Sequence, residues 1–155
     1  KGLAEVRIDK LDEALKAFDR ATTLNPGSHE AWNYKGFVLE DLGRLKDAIS
    51  SFDRAIKVNP NFIAALNNKG LVLDKRGKHG EAIEAYNSAI QANPAFDAAW
   101  FNMACAYSLL REKDNMLDSL KKALDLNHRY KMGLQQVPDF LRYRNDPEFL
   151  KLSGR

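Results

Sequence analysis

Apolar residues recur along the chain at helical spacing, in pairs of segments separated by turn residues. Residues 30–41 form one such segment, which ends near Gly43, a residue able to adopt the left-handed C-terminal cap of a helix. Residues 46–58 form the next, and Asn59-Pro60 ends it because the residue before proline is pushed out of the α region. This second segment places its apolar positions on one helical face: Ala48, Ile49, Phe52, Ala55 and Ile56. The pattern predicts a helical hairpin.

The hairpin pattern repeats with a period of 34 residues, as the spacing of Asn25-Pro26, Asn59-Pro60 and Asn93-Pro94 demonstrates. Five further sets of equivalent positions, which we call repeat columns, recur at the same interval of 34 residues. They are Trp32, Leu66 and Trp100; Gly36, Gly70 and Ala104; Ala14, Ala48, Ala82 and Met116; Phe18, Phe52, Tyr86 and Leu120; Ala21, Ala55, Ala89 and Ala123. The small residues allow neighbouring helices to approach closely, and the aromatic residues fill the space between them. The period therefore predicts stacked hairpins.

The pattern of Trp, Gly four residues later, then Ala, an aromatic residue, Ala and Pro resembles the 34-residue tetratricopeptide repeat. The resemblance covers residues 1–128, divided into unit one (partial, 1–28), unit two (29–62), unit three (63–96) and unit four (97–128). It implies an all-α fold, a right-handed superhelical solenoid of antiparallel helix pairs.

Units one and four depart from the repeat pattern. In unit one, Lys1 to Ile8 is predicted to be only the second half of a first helix, and the chain does not begin with Met, so we expect it to be part of a longer protein. Unit four replaces the usual Gly, Gly, Ala and Pro by Ala104, Arg111, Met116 and His128. These departures concern the geometry near the C-terminus rather than the fold.

Residues 129–155 fall outside the period and are predicted to form capping helices that solvate the end of the solenoid. We expect one helix over Arg129–Gln136 and another that begins at Asp146-Pro147, an N-cap followed by proline in the first turn. The residues expected to cover the last apolar face are Met132, Leu134, Val137, Phe140, Leu141, Phe149 and Leu150. The alternative is that this slightly basic tail docks on a partner.

Composition and charge exclude several classes of protein. The chain of 155 residues is 45% hydrophobic and 29% charged, which is typical of a soluble globular domain. Its net charge of +3 comes entirely from the tail, and no dense basic stripe is present, so nucleic-acid binding is not expected. No window approaches the roughly 18 consecutive apolar residues that a membrane span needs. The single Cys105 cannot form an internal disulfide, so a cytoplasmic location is predicted.

No residue pattern indicates catalysis, a metal or a cofactor. His29, His79 and His128 are too far apart in sequence for a local ligand set, and stacked repeats would separate them from Cys105. Gly77-Lys78 lacks the other residues of a phosphate loop and is better explained as a helix end. We therefore predict a non-catalytic scaffold that binds no cofactor.

The resemblance implies that the first helices of the units line a concave groove that binds a partner peptide or helix. The predicted partner-binding residues are Asn33, Phe37, Glu40, Asn67, Asn68, Leu71, Asp74, Phe101, Asn102 and Cys105. Phe37, Leu71 and Cys105 are expected to form an apolar stripe open to solvent, and the Asn side chains are able to pair with a peptide backbone. The alternative for Asn68 and Asn102 is that they cap neighbouring groups within the protein.

A known ligand mode of the family and a different function compete with this hypothesis. The family's grip on a C-terminal carboxylate uses a Lys/Asn/Asn/Lys/Arg set, and here only Asn68 matches it, so that mode is disfavoured. The alternative function is a self-assembling solenoid segment, in which Leu15 and Phe18 on the uncapped first unit stack on another copy.

Overall fold

The structure, a computed structural model, describes the backbone of residues 3–154 and the side chains of residues 7–154. Lys1 and Gly2 of the partial first unit and Arg155 of the basic tail lie outside the described residues. The helices are α1 (Leu3–Leu24), α2 (His29–Asp41), α3 (Leu45–Val58), α4 (Ile63–Lys75), α5 (His79–Ala92), α6 (Asp97–Leu109) and α7 (Lys113–Leu126). Short 3₁₀ helices (His128–Lys131, Leu134–Gln136 and Pro138–Tyr143) then lead to α8 (Pro147–Ser153).

Helices α2 to α7 form three antiparallel hairpins, each of which packs against the next. The first helices α2, α4 and α6 contact one another and form one layer, while α3, α5 and α7 form the other. Three apolar clusters follow one another along the stack, built around Phe52, Tyr86 and Leu120. The predicted all-α solenoid of helix pairs is therefore confirmed, and no strand occurs among residues 3–154.

The tight contact within each hairpin depends on the residue opposite the large side chain of the second helix. A Cβ atom at Gly36 would lie 2.6 Å from the Phe52 ring, and one at Gly70 would lie 2.3 Å from the Tyr86 ring. Unit four has Ala104 at this place and the smaller Leu120 opposite, both fully buried at 0% exposure. The helix spacing thus follows from matched pairs of small and large residues.

The turns inside the hairpins use a left-handed residue, with φ of 74° at both Gly43 and Gly77. Arg111 adopts the same conformation in unit four, with φ of 65°, although it carries a side chain. The N–H of Glu112 donates to the carbonyl of Tyr107 at 2.9 Å, as that of Lys78 does to Leu73 in unit three. Tertiary packing therefore preserves the turn at a cost of roughly 1–2 kcal/mol for the left-handed arginine.

Unit one differs from the sequence prediction, because α1 is one continuous helix from Leu3 to Leu24 rather than two helices. Asp9 occupies the position of Gly43 and Gly77 but remains within the helix. The expectation that Leu15 and Phe18 form an open apolar end is also wrong. Leu15 is only 9% exposed and packs with Phe18 in the cluster of unit two.

The C-terminal segment, residues 128–154, covers the last hairpin but is not built as predicted. Gly133, with φ of 77°, divides the expected helix 129–136 into two short 3₁₀ helices. Leu134, Phe140 and Phe149 are fully buried against α6 and α7, as expected of a cover. Met132 and Leu141 were also expected to be covered, but they are 80% and 47% exposed. They lie in short 3₁₀ stretches or loops, where helical spacing no longer predicts which side chain faces inward.

Among the described residues, none of the helices combines the length and the apolar character needed to cross a bilayer.

Candidate peptide-binding surface

The free face of the inner helix layer is the candidate site, and we call it the concave wall. On α2 it consists of Glu30, Tyr34, Phe37 and Asp41, all exposed, at i, i+4, i+7 and i+11. The corresponding positions are Ala64, Asn68, Leu71 and Lys75 on α4, and Ala98, Asn102, Cys105 and Leu109 on α6. The wall is therefore aromatic and acidic on α2, whereas α4 and α6 each contribute one Asn among mostly apolar positions.

Two predicted contact residues, Asn33 and Asn67, are buried between successive units rather than presented to a partner. The Nδ2 of Asn68 donates to the Oδ1 of Asn33 at 3.1 Å, and Asn102 bonds Asn67 in the same way at 3.0 Å. Asn33 and Asn67 are 8% and 9% exposed. These amides connect neighbouring helices, which supports the alternative that Asn68 and Asn102 cap groups within the protein.

The two predicted acidic contacts, Glu40 and Asp74, also have partners inside the protein. Glu40 forms an ion pair with Lys75 of the following unit. Asp74 accepts a hydrogen bond from the Tyr86 hydroxyl at 2.7 Å and contacts His79 Nδ1 at 2.8 Å. Burial raises the pKa of the Asp74 carboxyl, although both contacts act to lower it.

The open aromatic part of the wall lies on α2. Phe37 is 50% exposed and Tyr34 is 56% exposed, and the Tyr34 ring stacks on Phe18 of α1 with centroids 5.7 Å apart. The sequence prediction included Phe37 but missed Tyr34. The signal was present, because Tyr34 shares the repeat column of Asn68 and Asn102.

Leu71 and Cys105 are less open than the predicted apolar stripe requires. Leu71 is partly buried and packs against the cluster around Tyr86. Cys105 is also partly buried, within the cluster that includes the C-terminal segment. Burial, together with the neighbouring carboxylate of Asp139, raises the pKa of the Cys105 thiol. Of the three residues expected to form a solvent-open stripe, Phe37 is exposed, whereas Leu71 and Cys105 are only partly exposed.

The C-terminal segment closes the unit-four end of the inner layer. The Phe101 ring stacks on Tyr130 with centroids 4.4 Å apart and meets Phe140 edge-on at 5.8 Å. The Ser108 hydroxyl donates to the backbone carbonyl of Asp139. Phe101 was predicted to contact a partner, but these aromatic rings occupy that place. The segment thus covers the apolar face of unit four, which the first helix of another repeat would otherwise cover.

Charges on the wall are unevenly distributed. Glu30 keeps 58% of its side chain exposed, and Asp41 keeps 33% and has only a distant ion pair, 3.9 Å, with Arg7. Lys75 is engaged by Glu40. Among residues 7–154 no group of three or more His, Cys, Asp or Glu side chains is arranged to hold a metal ion.

Comparison with solved structures identifies proteins of the same fold. A crystal structure of the MamA protein superposes with a TM-score of 0.72 at 29% identity, covering 77% of this chain and 66% of that chain. MamA residues 41 to end from Desulfovibrio magneticus RS-1 superposes with a TM-score of 0.78 at 24% identity, covering 95% and 86%. The chain spans just under two thirds of the first of these structures.

A third solved structure is YrrB, described as a TPR protein with an unusual peptide-binding site. It has a TM-score of 0.73 at 18% identity and covers 95% of this chain and 76% of that chain. None of the curated protein sequences compared with the chain is significantly similar to it.

Sequence models of the tetratricopeptide repeat match most of the chain. One matches residues 1–61 and again 38–98, and a second matches residues 97–129. These ranges contain the hairpins, the matched Gly and aromatic positions and the concave wall described above. The chain belongs to the tetratricopeptide repeat family.

Proposed function

We propose that this protein is a non-catalytic interaction scaffold that binds a segment of a partner protein on its concave wall, where units two and three meet. The observation that carries the proposal is the pair of exposed aromatic rings, Tyr34 and Phe37, which stay about half-exposed although Phe18 of α1 stacks on Tyr34. Large exposed apolar side chains grouped on one face are typical of interaction sites.

The two ends of the concave wall differ in how far other parts of the chain cover them, and this difference indicates where a partner would bind. At unit four the aromatic rings of Tyr130 and Phe140 cover Phe101. At unit two α1 places Phe18 on Tyr34 and Arg7 at Asp41 but leaves Phe37 half-exposed, and Leu71 occupies the same repeat position on the next inner helix. A partner segment would therefore contact α2 and α4 more than α6. YrrB, a protein of this fold with a peptide-binding site, is a precedent that agrees with such a function.

The proposal is tested by selecting peptides from a random display library on the wild-type protein, and then measuring the enriched peptides by fluorescence anisotropy. Phe37→Ser is expected to weaken binding at least about tenfold, since truncating a central aromatic contact costs about 2 kcal/mol or more. Because Phe37 is half-exposed, the melting temperature should change little. Leu71→Arg is a poorer probe, since Leu71 contributes to the core.

Leu126→Ser serves as the matched control, because Leu126 is 45% exposed on an outer helix, α7. It should leave binding unchanged. Enriched peptides that bind Phe37→Ser as well as wild type would show that the concave wall of unit two is not the site.

Two further expectations stay predictions. A self-assembling solenoid segment remains the alternative function, and Leu24, 87% exposed on α1, is the apolar residue most open to such a contact. Static light scattering over a concentration series tests it, and a rising mass that Leu24→Ser abolishes would favour it. A cytoplasmic location is inferred only from the single cysteine.

A further inference from the structure

The exposed face of α2 has an ordered chemical pattern. Reading along the helix, it presents Glu30, Tyr34, Phe37 and Asp41, so two aromatic rings lie between two carboxylates. We call this set the α2 stripe. Its ends are eleven residues apart, which corresponds to about 16 Å along a helix axis. No other inner helix of the described chain has this pattern, since α4 and α6 carry Asn68 and Asn102 at the place of Tyr34.

The carboxylate at the end of the stripe is unfavourable for the helix itself. Glu40 and Asp41 are the last two residues of α2, where the helix dipole is negative, and no basic residue lies in that last turn. Glu40 is compensated by Lys75, but Asp41 has only Arg7 at 3.9 Å, close to the limit of an ion pair. Glu30 is different, because an acidic residue in the first turn is favoured by the dipole. The stability of α2 therefore gives no reason for a negative charge at Asp41.

The surroundings of the stripe are acidic overall. In the stripe and beside it lie four carboxylates, Glu30, Glu40, Asp41 and Asp74. Lys75 engages Glu40, Tyr86 and His79 engage Asp74, and His29 contacts Glu30 at 3.2 Å. The basic side chains that contact these carboxylates are Arg7 and Lys75, together with the imidazoles of His29 and His79. An anionic partner would meet repulsion here, whereas a cationic one would gain from both the carboxylates and the aromatic faces, which attract Lys and Arg side chains.

We propose that the partner segment is basic: an extended stretch with Lys or Arg near each end and apolar or aromatic residues between. The inference deepens the proposed function and rests on it. The central apolar residues contact Tyr34 and Phe37, one basic side chain pairs with Asp41, and the other pairs with Glu30. Because an extended chain advances about 3.3 Å per residue, the two basic residues are separated by about five residues.

The experiment uses the full chain and the display selection described above, now read for sequence. Enriched peptides that depend on Phe37 are expected to carry Lys or Arg on both sides of an apolar centre. For the best peptide, synthesised with a fluorophore, Asp41→Lys and Glu30→Lys should each weaken binding about fivefold or more, because each reverses one charge pair. Glu84→Lys is the matched control, an exposed charge reversal on α5, and should leave the affinity unchanged.

A charge exchange makes the test specific. Replacing one basic residue of the peptide by Glu should weaken its binding to wild type and restore its binding to Asp41→Lys or Glu30→Lys, which a merely destabilised variant would not do. Phe37-dependent peptides without Lys or Arg, or an affinity indifferent to Asp41→Lys, would overturn this inference and leave the proposed function intact. Peptides indifferent to Phe37→Ser would instead overturn the proposed function. A stripe occupied by a second copy, detected as a dimer that Phe37→Ser dissociates, would also overturn the inference.

Discussion

The contact between Gly70 and Tyr86 makes a quantitative test of how each hairpin is held together. A Cβ atom at Gly70 would lie 2.3, 2.7 and 2.8 Å from three atoms of the Tyr86 ring, all shorter than any ordinary contact. The ring has no room to retreat, because it is fully buried and its hydroxyl donates to Asp74 at 2.7 Å. Gly70→Ala must therefore push the two helices apart or distort them.

The expected change in the free energy of unfolding of Gly70→Ala is the sum of two opposing effects. Overpacking costs roughly 1–3 kcal/mol, and three such close contacts with a fixed ring place this case near about 3 kcal/mol. Alanine favours a helix interior over glycine by about 1 kcal/mol, which offsets part of that cost. We expect a net loss of about 2 kcal/mol in unfolding free energy, which lowers the melting temperature by about 4–8 °C for a chain of this size.

Unit four supplies the compensating substitution, since Ala104 there faces Leu120. Tyr86→Leu alone should cost about 2 kcal/mol through lost packing and a lost hydrogen bond. In Gly70→Ala/Tyr86→Leu the clash is absent, so the double variant should lose only about 1 kcal/mol, a coupling of about 3 kcal/mol. Gly80→Ala is the control for the same substitution in an open place, where no atom lies within 4 Å. It should be neutral or slightly stabilising.

Chemical and thermal denaturation of the four variants and wild type measure the cycle. Equal stability of Gly70→Ala and wild type would refute the argument that glycine is required by the ring. A double variant as unstable as the sum of the two single variants would show that the two residues do not act as a matched pair.

Three further predictions follow from burial and protonation. Ala82→Leu should destabilise the protein by roughly 1–3 kcal/mol, because Ala82 is fully buried, whereas Glu84→Ala on the surface should change stability by less than about 0.5 kcal/mol; equal melting shifts would mean that the helix faces are misassigned. Cys105 should react slowly with a thiol reagent in the native protein, because its raised pKa keeps the thiol protonated, and Phe140→Ala, which weakens the C-terminal cover, should accelerate the reaction; a fast native reaction would contradict this arrangement. The raised pKa of Asp74 means that the folded state binds the proton of this carboxyl more tightly than the unfolded state does. The tighter proton binding stabilises the fold at low pH, and this stabilisation is lost as pH rises from about 4 through the folded pKa. Asp74→Asn should therefore gain stability relative to wild type over that range in urea denaturation, and a difference independent of pH would exclude the effect.

The repeat columns determined most of the hairpin architecture in advance. Proline after Asn59, glycine at positions 43 and 77, and the alternation of small and aromatic residues are local signals whose spacing alone locates helices and turns. They worked for units two and three because each hairpin packs mainly on its immediate neighbours, so that the sequence of one unit describes the surroundings of the next.

The candidate site was predicted less well, because exposure depends on what lies opposite a residue. Asn33 and Phe37 belong to the same helix and both were predicted to face a partner, yet Asn33 is 8% exposed and Phe37 is 50% exposed. The difference arises from Asn68, which reaches across from the next unit to bond Asn33. The spacing of residues within α2 alone does not predict that contact, because its partner belongs to the next unit.

The sequence by itself determined the period, the helix pairs and the family, since these follow from local conformational preferences and from packing between neighbours. Only the tertiary structure decided which part of the concave wall is open. Beyond residue 127 the period ends, and Tyr130 and Phe140 return to cover Phe101 through contacts that no repeat pattern encodes. At the other end, α1 runs through Asp9 without a turn, and its Phe18 stacks on Tyr34, which stays half-exposed near Phe37 on α2. Burial depends on which surfaces come together in space. The segments at the two ends, where the repeat pattern stops, therefore determine which part of the concave wall stays exposed.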